Sequence, residues 1–167
     1  FETILDQVVS MKTMTKLRLS GCRLNFRCAD AVGELLITAP HLLDVDFSFN
    51  NFEALGAEPI ARGLALNKTI TSLNLRQNGF GPMGGQAFTT AMLPTPYGHP
   101  SLKQLNLVDN RIGANVMCLL SGRLQGTISD VYTSVAADEI IMPTFYKEGR
   151  FGETPMHTTD HSHDHNI

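Results

Sequence analysis

Four histidines crowd the end of the chain: His157, His161, His163 and His165, interleaved with Asp160 and Asp164. Neutral imidazoles and carboxylates at this density are a donor set that zinc or nickel accepts. A working metal centre also needs fixed geometry and a second layer of hydrogen bonds around the ligands. The segment that carries the histidines, MPTFYKEGRFGETPMHTTDHSHDHNI, is polar and aperiodic and promises neither. A solvated tail is therefore expected, with these four histidines as weak metal candidates. The glycine-rich GFGPMGGQ, Gly79 to Gln86, precedes an expected helix as a phosphate loop would. Such a loop ends in Gly-Lys-Ser/Thr, whereas here Gly85 is followed by Gln86. The cysteines Cys22, Cys28 and Cys118 are odd in number and lack metal-type spacing, which reads as reduced thiols in a cytoplasmic protein. No Ser/His/Asp or Cys/His arrangement recurs where a fold would assemble it. The expectation is of no catalytic residue, no cofactor and no small-molecule substrate, hence no enzyme.

Composition narrows the partners. The 167 residues are 43% hydrophobic and 17% charged, enough for one domain with a real core. The net charge of −3 offers no basic field for a nucleic acid or an anionic membrane. No apolar run is long enough to span a bilayer, and the opening FETILDQVVS lacks the basic start and apolar centre of a signal peptide.

The elements that position any binding group come from a repeat. LNLRQNGFG, Leu73 to Gly81, returns as LNLVDNRIG, Leu105 to Gly113. Asn78 and Asn110 have upstream counterparts in Asn50 and Cys22, at a period of about 28 residues. The last interval is longer and holds PTPYGHP, a proline-stiffened insertion. In this frame Leu17, Val45, Leu73 and Leu105 form one column, and Leu19, Phe47, Leu75 and Leu107 the next. Beyond the anchor follow Leu24, Phe52, Phe80 and Ile112; then Val32, Ile60, Phe88 and Leu120; then Leu36, Leu64, Met92 and Leu124. Alternation before each anchor predicts a short strand, and the spacing of three and four after it predicts an amphipathic helix. The helices are expected over 28–38, 57–66, 83–92 and 114–124, with Pro82 in the first turn of its own.

The pattern L-x-x-L-x-L-x-x-N/C-x-L with a helix in each unit resembles the leucine-rich repeats of the ribonuclease-inhibitor type, over about residues 14 to 127. The resemblance implies an α/β solenoid of about four repeats plus partial ends, with a curved parallel sheet inside and helices outside. Strands lie about 4.8 Å apart and a helix is about 10 Å wide, so stacking both at one pitch bends the array. The concave strand face is this family's usual binding surface. Its candidate partner-binding side chains are Lys16, Arg18, Asp44, Asp46, Phe49, Asn74, Arg76, Gln77, Asn106 and Asp109. Phe49 is the candidate anchor, an aromatic at a position that the frame exposes. Tyr97 and His99 of the insertion are candidate contacts on the rim. The anchor Asn is expected to brace the strand-to-loop turn, and Cys22 is expected to fill that column as a small buried residue.

The array is expected over 1–140. Residues 1–13 read either as a cap or as the helix of a repeat whose strand is absent. Together with the opening Phe1 they suggest a chain taken from a longer array. Residues 131–140 read as a degenerate terminal repeat or an edge-covering strand, and 141–167 as the polar His-rich tail. Such a tail orders only against a neighbour, so a subunit of a multi-subunit assembly is expected. The resemblance implies a non-catalytic protein–protein interaction scaffold, such as a structural or adaptor subunit of a ciliary or flagellar axonemal complex. The alternative is a regulator of a GTPase or a ribonuclease, though both use longer horseshoes; third comes an immune-sensor domain, needing a nucleotide-binding domain upstream. The expected partners are other proteins, with no nucleic acid and no membrane; the expected site is cytoplasmic or cytoskeletal.

Overall fold

The structure, a computed structural model, describes residues 7–11, 13–91, 99–124 and 130–132, with side chains described as far as Leu120. Strand β1 is Lys16–Arg18, and a single 3-10 turn, Phe26–Cys28, leads into α1, Ala29–Thr38. Then come β2 (Asp44–Asp46), α2 (Glu53–Leu66), β3 (Ser72–Asn74), α3 (Gly81–Ala91), β4 (Gln104–Asn106), α4 (Ala114–Leu124) and β5 (Asp130–Tyr132). The strands lie in one parallel sheet in chain order. A parallel neighbour can be reached only by a crossover, and each crossover here is a loop with one helix. Each helix packs against the next. The result is a leucine-rich-repeat solenoid with strands inside and helices outside.

The register follows the repeat frame. Leu17 pairs with Val45, Val45 with Leu73, Leu73 with Leu105 and Leu105 with Val131. The ladder continues one residue further: Leu19 N donates to Asp46 O, Phe47 N to Asn74 O and Leu75 N to Asn106 O, at 2.8 to 2.9 Å. Leu19, Phe47, Leu75 and Leu107 therefore line up on adjoining strand ends. All but Leu19 are buried; Leu19, on the first of the described strands, is partly exposed. Val32, Leu36, Ile60, Leu64, Phe88 and Leu120 reach the same core from the helices. Phe47 meets Phe52 and Phe80 meets Phe88 edge to face.

Two expected boundaries move. Helix α2 begins at Glu53, not 57, and holds Pro59 in its interior. Gly56 lies close against Phe26 and Ala29 of the preceding unit, and this packing draws the chain into helix earlier. Strand β5 lies two residues before the position that the repeat period predicts, with Val131 rather than a later residue beside Leu105. Cys22 is also corrected: it is exposed, its thiol directed at Ser20 O at 3.7 Å. Among the described residues no earlier strand-to-loop turn covers it. The histidine-bearing tail, Tyr97 and residues 133–140 lie outside the described residues.

Two glycines let helices α1 and α2 touch backbone to backbone. A Cβ on Gly33 would collide with Pro59 O, and one on Gly63 with the backbone of Gly33. Any side chain at either position pushes the helices apart.

Candidate protein-binding face

The concave face is held by what happens at the strand ends. Asn50 Nδ2 donates to Leu19 O (2.9 Å) and Phe47 O (2.8 Å). Asn78 Nδ2 repeats this with Phe47 O and Leu75 O, and Asn110 Nδ2 with Leu75 O and Leu107 O. Each amide thus bridges its own turn to the preceding one, satisfying carbonyls that the ladder leaves over. Asn110 Oδ1 also accepts from Asn78 N at 2.8 Å, and Asn50 Oδ1 from Leu24 N at 3.0 Å.

These turns force an uncommon backbone. The residue before each anchor is left-handed in every unit: Gly21 (φ 65°), Phe49 (56°), Gln77 (52°) and Asp109 (60°). Glycine and aspartate tolerate this conformation; a bulky aromatic does not. Phe49 is nonetheless there, 48% exposed as a residue. The Arg76 guanidinium lies over that ring at 5.5 Å and reaches Asp109 Oδ2 through Nη2 at 2.7 Å and Nε at 2.9 Å. Phe49, Arg76 and Asp109 thus form a connected row across three successive units. Beside it lies an open depression of about 960 Å³, lined by Phe49, Gln77 and Asp109 together with Asn51, Pro82 and Arg111. The candidates read from the sequence stop before the anchor and miss these last three: Asn51 and Arg111 directly follow their anchors, and Pro82 lies in the first turn of α3. Arg111 shares its column and its left-handed backbone with Arg23, which was the available signal.

The other candidates sort into two groups. Lys16 and Arg18 both approach Asp44 Oδ2, at 3.8 and 3.7 Å, forming an exposed charged cluster on β1 and β2. Such exposed pairs contribute about 0–1 kcal/mol, which leaves the cluster's charges open to rearrangement. Asp46, Asn74 and Asn106 are half buried, and each spends an oxygen on the backbone N–H two residues later: Ser48, Arg76 and Val108 respectively. Their first duty is to end the strands.

His99 departs from its expected place. It is 3% exposed and stands under the turn into β4, not on the rim. Its Nε2 donates to Leu64 O at 3.0 Å, and its Nδ1 accepts from Leu102 N at 2.9 Å and Ser101 N at 3.3 Å. Asn67 makes the same set one unit earlier, donating to Leu36 O and accepting from Thr69 N and Ile70 N. Burial lowers the His99 pKa below the ordinary imidazole value, against the raising effect of the Leu64 and Asn67 backbone. The ring is neutral at pH 7, and a proton on Nδ1 would face two donors. Among the described residues no group of three His, Cys, Asp or Glu side chains gathers to hold a metal ion.

Comparisons with known proteins agree with this architecture. A family described as "Leucine Rich repeat" matches residues 38–61, 66–88 and 98–115. Each stretch carries one strand and the turn that follows it. No curated protein matches the chain. Among solved structures the chain is similar to leiomodin-1 actin-binding site 2, at 22% identity and a TM-score of 0.68, over 80% of this chain and 79% of that one. That likeness is one of fold. The strand, bracing asparagine and helix that recur along this chain are therefore leucine-rich repeats.

Proposed function

We propose that this protein is a non-catalytic scaffold whose concave strand face binds a protein partner. The observation that carries the reading is Phe49, an exposed aromatic kept in a left-handed backbone at one end of the Phe49–Arg76–Asp109 row. Strain retained at an exposed residue is a mark of use, because folding alone would favour glycine or asparagine there. The binding residues are Lys16, Arg18, Asp44, Phe49, Arg76, Gln77 and Asp109, with Asp46, Asn74 and Asn106 supporting them at the strand ends. Mixed charge suits a protein surface better than a nucleic acid. It is also a poor match for a basic ribonuclease, since Lys16 and Arg18 stand beside Asp44 and Asp46; a regulator of a GTPase or ribonuclease is the second reading.

The repeats are of the ribonuclease-inhibitor type, arrayed over 1–140 and followed by a polar tail over 141–167. The setting is a cytoskeletal assembly, with a ciliary or flagellar axonemal complex as the specific expectation. The neighbour whose title names an actin-binding site supports a cytoskeletal partner. No helix among the described residues is long and apolar enough to cross a membrane. The test is recovery of partners from native extract by wild type and by the combined variant Arg18→Ala, Phe49→Ala, Arg76→Ala, with co-sedimentation on actin filaments alongside. The reading expects the variant to lose the partners while remaining folded. Undiminished recovery would move the interface elsewhere.

A further inference from the structure

The helical face carries a second surface that the concave reading does not use. Between α2 and α3 runs an open groove of about 580 Å³. Its floor is made of small side chains, Ala65, Ala87 and Ala91, while Leu66 and Met83 stand up from its ends at 58% and 77% exposure. Large exposed apolar side chains flanking a small-residue hollow mark an interaction surface on a soluble protein. Glu58 and Arg62 edge the groove one turn apart on α2, both exposed, and neither forms an ion pair with any described residue.

We propose that this groove is a two-fold interface with a second copy of this chain. A two-fold axis through the middle of the groove reverses the helices, and three features then match. Met83, at the start of α3, meets the alanine hollow at the far end of the partner's groove, and the partner's Met83 does the same in return. Leu66, at the end of α2, joins that contact. Glu58 faces Arg62 of the partner subunit, and Arg62 faces Glu58 of the partner subunit, so both charges find an opposite. An acidic or a basic partner would leave one of them opposed to its own sign. A surface that holds both the knob and the hole, and both signs of charge, complements itself, which is what a closed two-fold contact requires. The interface lies on the helices and leaves the concave face of each copy open. Dimerisation would then present two partner-binding faces on one particle, raising avidity without new contacts.

Sedimentation velocity of the full chain over a wide concentration range tests this. The proposal expects a concentration-dependent monomer–dimer equilibrium. Met83→Glu, at an exposed position, should yield monomer with an unchanged far-ultraviolet circular dichroism spectrum. Glu58→Arg and Arg62→Glu should each raise the dimer dissociation constant by about tenfold or more, and the double variant should return it to within about threefold of wild type. A monomer at every concentration overturns the proposal. So does a dimer indifferent to Met83→Glu, or one that the double charge exchange fails to restore. Retention of partner recovery by the monomeric Met83→Glu protein would leave the concave reading standing whatever the outcome here.

Discussion

Phe49 and Phe52 are three residues apart and have opposite relations to stability. Phe52 is buried against Phe47 with ring centroids 6.2 Å apart, so Phe52→Ala should cost about 3–5 kcal/mol in urea unfolding. Phe49→Asn gives up a half-exposed ring and relieves a left-handed backbone costing about 1–3 kcal/mol, so the variant should be as stable as wild type or more so. The same variant should bind the partner less tightly, separating a residue kept for binding from one kept for folding. His99 makes a different prediction. Its folded pKa is depressed, so the unfolded chain takes up the proton first as pH falls. The stability tied to His99 is complete above the unfolded value of about 6.5 and is lost as pH drops through the lower folded value. Unfolding free energies measured between pH 8 and pH 5 should show this decline. Asparagine does the same work at position 67, so His99→Asn should weaken the pH dependence, whereas His99→Ala leaves Leu102 N without a partner and Leu64 O with the Asn67 N–H alone, and should cost about 1–3 kcal/mol.

At the scale of the element, the repeat frame located every strand of the four units, because alternation of leucine with polar residues has only one reading. It was less informative about where helices start. Helix α2 starts at Glu53 rather than 57 and keeps Pro59 in its interior, because burial of the preceding turn outweighs the loss of one hydrogen bond. The kinship of Asn67 and His99 was illegible for another reason: they share a column before Asn78 and Asn110, but an amide and an imidazole do not look alike, and only the shared hydrogen bonds to Leu36 O and Leu64 O reveal the common role. The contact between α1 and α2 was equally hidden, since a glycine in a helix shows no partner in one dimension. Alanine is the better helix former by about 1 kcal/mol, yet Gly63→Ala should lower stability by about 1–3 kcal/mol, because its Cβ meets the Gly33 backbone, which has no free rotation to yield. Thermal unfolding of Gly63→Ala decides between the two effects.

Taken as a whole molecule, the array separates two jobs by face. Buried columns and bracing asparagines fix the curve; the inner wall is then free to vary, since its side chains carry little of the folding energy. That is why the solenoid could be read from spacing while the concave site could be read only as a set of exposed positions. Phe49 stood out in the letters as an aromatic at an exposed position; what joined Arg76 and Asp109 to it was backbone geometry and mutual contact, neither of which a column of letters displays. The outer helices add a groove that the repeat pattern does not require. The most direct test of the binding role is a photo-cross-linking measurement in native extract, with Phe49→p-benzoylphenylalanine on the concave face and the same probe at Glu34 on α1 as a control. The account predicts a discrete protein adduct from position 49, absent when Arg18 and Arg76 are changed to alanine, and none from position 34. Adducts from position 34 alone, with position 49 silent, would contradict it.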